Sequence, residues 1–173
     1  IISIEVKEWH LRKLRYIMRI TSYNIELNEN KLPLLVKENT KNYPKIDSVD
    51  TPDKVVNMLN DIFRASYQAE EHAYLIALNT KCKVIGIFNL SHGTINSSFL
   101  NTREIFLRLC ICGAASFIIA HNHPSGDSHP SITDIETTEK IKQAGKLMGI
   151  NLLDHIIIGD NNSFSFHQHE LIE

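Results

Sequence analysis

Two histidines, His121 and His123, are separated by one residue; after seven intervening residues comes Ser131, and three positions on, Asp134. The apolar run Phe117-Ile118-Ile119-Ala120 leads into the first histidine. On an extended segment, residues two apart leave the same face, so both imidazoles can address one point. Pro124-Ser125-Gly126 then turns the chain, which lets Asp134 return as a third ligand. Neutral imidazoles and a carboxylate suit zinc, and three protein ligands leave a fourth position for water, as in a catalytic site. A zinc so held would lower the pKa of its water toward ~7 and polarise a carbonyl. The pattern therefore predicts one catalytic zinc per chain. Hydrolysis also needs an oxyanion donor and a proton carrier. Ser131 is the candidate donor, and Glu70, Glu71 and Glu104 are the carboxylates available as proton carrier. A plainer reading stands beside this one. Ser131-Ile132-Thr133-Asp134 fits a capping box at a helix start, and paired loop histidines can simply be solvated. The two roles of Ser131 are compatible, because a helix N-terminus favours developing negative charge.

These residues need elements to hold them. Thr51-Pro52-Asp53 reads as a helix start, with Thr51 as cap, and Val55, Val56, Leu59, Ile62 and Phe63 recur at helical spacing. His72 to Leu78 and Lys83 to Leu90 read as strands joined by the turn Asn79-Thr80-Lys81-Cys82. A third short strand or bend follows near Ile95 to Phe99. Thr102-Arg103-Glu104 starts a second helix with Ile105, Phe106, Leu109 and Ile111 facing the core and Gly113 as its stop. Cys110 and Cys112 lie on or near it and read as small buried hydrophobes. Ser116 to Ala120 is a buried strand that carries the histidine pair. A third helix runs from about Ile132 to Met148, with Ile135, Thr138, Ile141, Ala144 and Leu147 along one side and Gly149 closing it. Leu152 to Ile158 is an apolar strand, and Phe164-Ser165-Phe166 a final one. Helices interspersed among apolar strands predict an α/β fold, a mixed β-sheet flanked by helices.

The N-terminal quarter reads differently. Ile2, Ile4 and Val6 alternate like a short strand, and His10, Arg12, Lys13, Arg15 and Arg19 cluster with Trp9 and Tyr16 between them. Such a cluster can contact nucleic acid, but a solvated face is the preferred reading. Asn28 to Asn42 is polar and broken by Pro33, with Pro44 just beyond, and reads as a linker or irregular arm. The division expected is an arm over 1–46 and a compact domain over 47–173. The sequence begins at Ile1 rather than methionine, as a piece of a longer chain would.

With 173 residues, 43% hydrophobic and 22% charged, the chain is long enough to bury a sizeable core. A net charge of −2 gives no global drive toward nucleic acid or anionic membrane. Cys82, Cys110 and Cys112 form no C-x-x-C pair, which argues against a disulfide framework and suits a reducing, cytoplasmic setting. No apolar run approaches the ~20 residues of a membrane span. Glu5, Lys7 and Glu8 interrupt any signal-peptide pattern.

The full spacing, H-x-H-x7-S-x2-D, resembles the JAMM motif of the JAB/MPN metalloproteins, and its wording from His121 to Asp134 resembles their bacterial RadC-like branch. Glu71-His72, Leu78-Asn79-Thr80-Lys81, Ser91-His92-Gly93-Thr94, Arg103-Glu104-Ile105-Phe106 and Leu153 through Gly159 are similar to that family too. The likeness runs from about Lys31 to the C-terminus and is stronger after Asp47. It implies a cytidine-deaminase-like JAB/MPN fold, zinc on His121, His123 and Asp134, Ser131 on the oxyanion side and Glu71 as the catalytic carboxylate. It further implies metallopeptidase or isopeptidase activity on a peptide or isopeptide substrate. Two features depart from the family. Nothing before Lys45 resembles the helix-hairpin-helix region of full-length RadC-like proteins, and Ser128, followed by His129, stands where a proline is common.

Two other function classes compete. A zinc deaminase needs H-x-E and P-C-x-x-C ligands, and His123 stands where the glutamate would be. The alternative retained is a non-enzymatic DNA-repair or mobile-element accessory module that binds DNA or a protein partner and carries structural zinc.

Overall fold

The computed structural model describes residues 18–43, 48–92 and 100–172. Seven strands form one mixed sheet: β1 (Met18–Leu27), β2 (Pro33–Tyr43), β3 (His72–Leu78), β4 (Val84–His92), β5 (Ser116–Asn122), β6 (Asn151–Ile158) and β7 (Ser163–Ser165). Their spatial order is β2-β1-β4-β3-β5-β6-β7. Strand β3 runs antiparallel to both β4 and β5, while β5 and β6 are parallel. The described helices are α1 (Pro52–Phe63), α2 (Thr102–Cys112) and α3 (Ile132–Met148), with a 3₁₀ turn at Ala65–Tyr67. The expected mixed sheet flanked by helices is the architecture observed.

Period-2 alternation in β3 sorts its apolar side chains onto two faces. Tyr74, Ile76 and Leu78 join Val55, Met58 and Leu59 of α1 in one core, together with Ile118, Ala120, Ile156 and Ile158. Ala73, Leu75 and Ala77 join Ile105, Phe106 and Leu109 of α2 and Ile141 of α3 in the other, with Phe117, Ile119 and Ile157. Strand β5 has both faces covered, and every one of its residues is buried. Burial of each large aliphatic side chain contributes about 1.5–3 kcal/mol, so a strand packed on both sides is a firm mount for a site at its end.

The helix ends follow the local chemistry. Thr51 accepts from Lys54 N at 3.4 Å, with Pro52 opening α1. Asn101 caps α2 through Arg103 N and Glu104 N, and Gly113 (φ 68°) and Gly149 (φ 68°) end α2 and α3 in the left-handed region.

Three expectations need correction. Asn28 to Asn42 is not an irregular arm: β1 and β2 form a long antiparallel hairpin at the sheet edge. Only Tyr43 of β2 is fully buried, so an edge strand with mostly polar, exposed side chains left no apolar signature. Cys110 is exposed and Cys112 only partly covered, because α2 turns Ile105, Phe106 and Leu109 inward instead. On α3, Ile135 is 44% and Leu147 89% exposed, while Asp134, Thr137, Thr138, Ile141 and Gly145 face inward. The helix is rotated so that Asp134 reaches the end of β5. The strand expected at Ile2 to Val6, the one near Ile95 to Phe99, and the basic cluster other than Arg19 lie outside the described residues; Arg19 is exposed on β1.

Candidate metal centre

The site is assembled at the C-terminal end of β5. His121 lies opposite Ala73 of β3 and beside Ile157 of β6, so both neighbours in the sheet fix its backbone. It is fully buried, whereas the side chain of His123, just past the strand end, keeps 17% of its exposure. Asp134 enters from the first turn of α3 and Glu71 from the residue preceding β3. One ligand atom from each of Glu71, His121, His123 and Asp134 lies within 4.8 Å of all the others. His121 Nε2 is 3.5 Å from Asp134 Oδ1 and 3.6 Å from Glu71 Oε1, and His123 Nε2 is 3.7 Å from Asp134 Oδ2 and 3.8 Å from Glu71 Oε1. The two Nε2 atoms are 3.0 Å apart.

The chemistry of this donor set fits a cation. The Nδ1 of His123 is 2.7 Å from the Asp127 carbonyl, which can only accept, so Nδ1 carries a hydrogen and, in the neutral ring, Nε2 is left with a lone pair facing inward. Two carboxylates converge on the same space. Acceptors so close together need a positive charge or a proton between them. The Asp134 carboxylate accordingly raises the His123 pKa, against the opposing effect of burial. Burial pushes the Asp134 carboxyl up, but His123, His121 and Ser131 together outweigh it and hold it well below the ordinary value. Burial drives His121 far below its ordinary value, with His155 and His123 adding to the effect. Glu71 moves up, first through burial and then through the Asp134 charge, with His123 opposing.

Ser131 fills the capping role in full. Its hydroxyl accepts from Asp134 N at 3.1 Å and donates to Asp134 Oδ2 at 2.6 Å, while Ser131 N donates to Asp134 Oδ2 at 2.8 Å. The serine thus touches the cluster through Asp134, and service as an oxyanion donor requires its hydroxyl to turn away from that carboxylate. Of the three candidate glutamates, only Glu71 reaches the cluster. Glu70 is exposed, and Glu104 sits on α2 beside Arg108 at 3.7 Å. His129 is paired with Asp127 at 2.6 Å on the loop exterior and 83% exposed, outside the cluster.

Sequence reasoning missed the supporting roles of Asn122, His155 and Thr138. Asn122, between the two histidines, points to the opposite side and clamps the segment carrying Glu71. Its Oδ1 accepts from His72 N at 2.9 Å, and its Nδ2 donates to Glu70 O at 3.0 Å. Fully buried His155 of β6 contacts His121 Nδ1 through Nε2 at 2.9 Å, and its Nδ1 lies 2.6 Å from Thr138 Oγ1. Burial pushes the His155 pKa down to about 4. The polar interruption of an apolar strand at Asp154-His155 was the one available signal. Beneath the loop, Gly126 (φ 82°) makes a turn open to glycine, and its carbonyl accepts from Asp160 N at 2.9 Å.

A mixed-sheet α/β domain with a partly buried His-His-Asp-Glu cluster at a strand end is an arrangement that could hold a metal ion. A profile of the RadC-like JAB domain matches residues 49–171, and the chain belongs to that family. It is 41% identical over 121 residues to a UPF0758 protein of Caldanaerobacter subterraneus, covering 70% of this chain and 51% of that one. It is 42% identical over 124 residues to a UPF0758 protein of Alkaliphilus metalliredigens, covering 72% and 53% respectively. A UPF0758 protein of Clostridium acetobutylicum is 40% identical over 134 residues, covering 76% and 58%. The chain spans about half the length of the curated relatives it matches. Among the described residues, no helix is long and apolar enough to cross a membrane.

Proposed function

We propose that this chain is a zinc-dependent hydrolase of peptide or isopeptide bonds. The observation that carries the reading is the convergence of four acceptor side chains within 4.8 Å of one another. His121, His123 and Asp134 would hold the zinc. When bound, the metal would acidify a water and polarise an amide carbonyl. Glu71, 32% exposed and lifted by burial, is suited to take a proton from a water at the site and return it to the leaving amine. Ser131, at the N-terminus of α3, would donate to the developing oxyanion once its hydroxyl leaves Asp134.

The test is a metal analysis of the purified protein followed by peptide and isopeptide cleavage assays. One equivalent of zinc is expected in the wild type, with loss of stoichiometric zinc in the His121→Ala/His123→Ala double variant. A double variant that keeps a full equivalent would overturn the ligand assignment. Cleavage that proceeds unchanged after zinc removal would overturn the mechanism.

A further inference from the structure

We propose that His155 and Thr138 are positioning residues that set the ring tautomer of His121 through a one-way hydrogen-bond relay from α3. The inference deepens the metal-centre reading and rests on it for its purpose, though not for its geometry. The direction of the relay is fixed at its far end. Thr138 Oγ1 lies 2.5 Å from the Asp134 carbonyl oxygen. Two oxygens at that separation need a hydrogen between them, and only the threonine has one, so Thr138 donates to Asp134 O. Its oxygen is then left to accept at 2.6 Å from His155 Nδ1, which must carry the hydrogen. In the neutral ring His155 Nε2 is therefore a bare acceptor, and at 2.9 Å it receives Nδ1–H from His121. His121 can then present only a lone pair, on Nε2, toward His123, Glu71 and Asp134.

Each step is buried. His121 and His155 are both fully inaccessible and Thr138 is 3% exposed, so water cannot substitute for a missing partner. The ring of His155 is further held by stacking on Phe166, with centroids 4.9 Å apart. The relay begins at the backbone of the residue whose carboxylate faces the cluster, so α3 and β5 are set together: the turn that places Asp134 also fixes the acceptor nitrogen of His121. Without the relay, His121 could place its hydrogen on Nε2, where it would block a cation. Partners of this kind typically change metal affinity by about 10–100-fold.

Two readouts test the relay. Nitrogen-15 NMR of the imidazole rings in the metal-free wild type, at mildly alkaline pH, reports the tautomers directly. His121 and His155 are both expected as Nδ1–H forms. Zinc affinity, measured by competition with a chromophoric chelator, is expected to fall about 10–100-fold in Thr138→Val and to be retained in Thr138→Ser, which keeps the hydroxyl. Valine is nearly isosteric with threonine, and thermal melts of both metal-free variants verify folding. A wild-type His121 protonated on Nε2, or Thr138→Val with wild-type zinc affinity, overturns the proposal. If the wild type takes up no zinc, the metal-centre reading fails by itself, and the ring tautomers still decide for or against the relay.

Discussion

Glu71 and Ser131 reach the same cluster with unlike constraints. Glu71 faces both imidazole Nε2 atoms at 3.6 and 3.8 Å and is part-exposed, so it can exchange protons with solvent. Glu71→Gln keeps the shape and removes the proton-carrying group. We expect zinc retention, a near-normal melting temperature, and hydrolysis slowed by roughly 10²–10⁴-fold. Glu70→Gln and Glu104→Gln should change little; if Glu104→Gln were the dead variant, the assignment of Glu71 would be wrong. At Ser131, removal of the hydroxyl acts twice. Ser131→Ala should cost about 1 kcal/mol through the lost cap and slow hydrolysis by ~10²-fold through the lost donor. An aspartate, a good cap elsewhere, is no neutral control here, because Ser131 Oγ is only 2.6 Å from an Asp134 carboxylate oxygen. A Ser131→Ala enzyme of full activity, measured at saturating zinc, would leave only the capping role.

At the scale of elements, the loop after β5 and the turn after β6 lean on each other. His123 N donates to Ile158 O, and Asp160 N to Gly126 O, both at 2.9 Å. A Cβ at Gly159 would press on the Gly126 carbonyl and come 3.0 Å from Ser128 N. Gly159→Ala should therefore force the loop outward at a cost of about 1–3 kcal/mol. Because Asp127 O in that loop orients His123, zinc affinity should fall with stability. Unchanged melting and zinc titration would show that the loop has room to move. The same geography explains what could be read beforehand. His121, His123, Ser131 and Asp134 belong to one strand-loop-helix unit, so their spacing carried the cluster, and the family likeness supplied Glu71 from a neighbouring strand. His155 lies 34 residues from His121, so apart from the polar pair Asp154-His155 interrupting apolar β6, nothing in the spacing tied it to the site. Asn122 was hidden for the opposite reason, as the residue between two conspicuous ones. The β1–β2 hairpin was illegible because its edge strand buries almost nothing, and hydrophobic periodicity is a signal of burial.

The whole molecule has an apolar core on each face of the sheet, so it should not depend on metal for its fold. Chelated protein is expected to unfold cooperatively, and zinc at a hundred times its dissociation constant should add about 2.7 kcal/mol. The metal-free state should nevertheless be sensitive to acid because of its buried imidazoles. Burial lowers His155 to about 4, while an unfolded histidine titrates near ~6.5. Between those values the unfolded chain takes up a proton that the folded ring refuses. The stability contributed by neutral His155 is present above pH ~6.5 and is lost as pH falls toward ~4, on the order of 3 kcal/mol in full. His121 is shifted in the same direction by burial and adds to the loss. His123 opposes it: its raised pKa contributes stability at low pH that disappears as pH rises through the folded value. Two fully buried rings against one partly exposed ring leave a net loss on the acid side. Asp134, held low, extends the decline below the ordinary carboxylate range. Urea unfolding of the chelated protein across pH ~7 to ~4 should therefore show a falling midpoint with net proton uptake on unfolding. A flat or rising midpoint over that interval would mean that His155 and His121 are open to water in solution, contrary to their burial here.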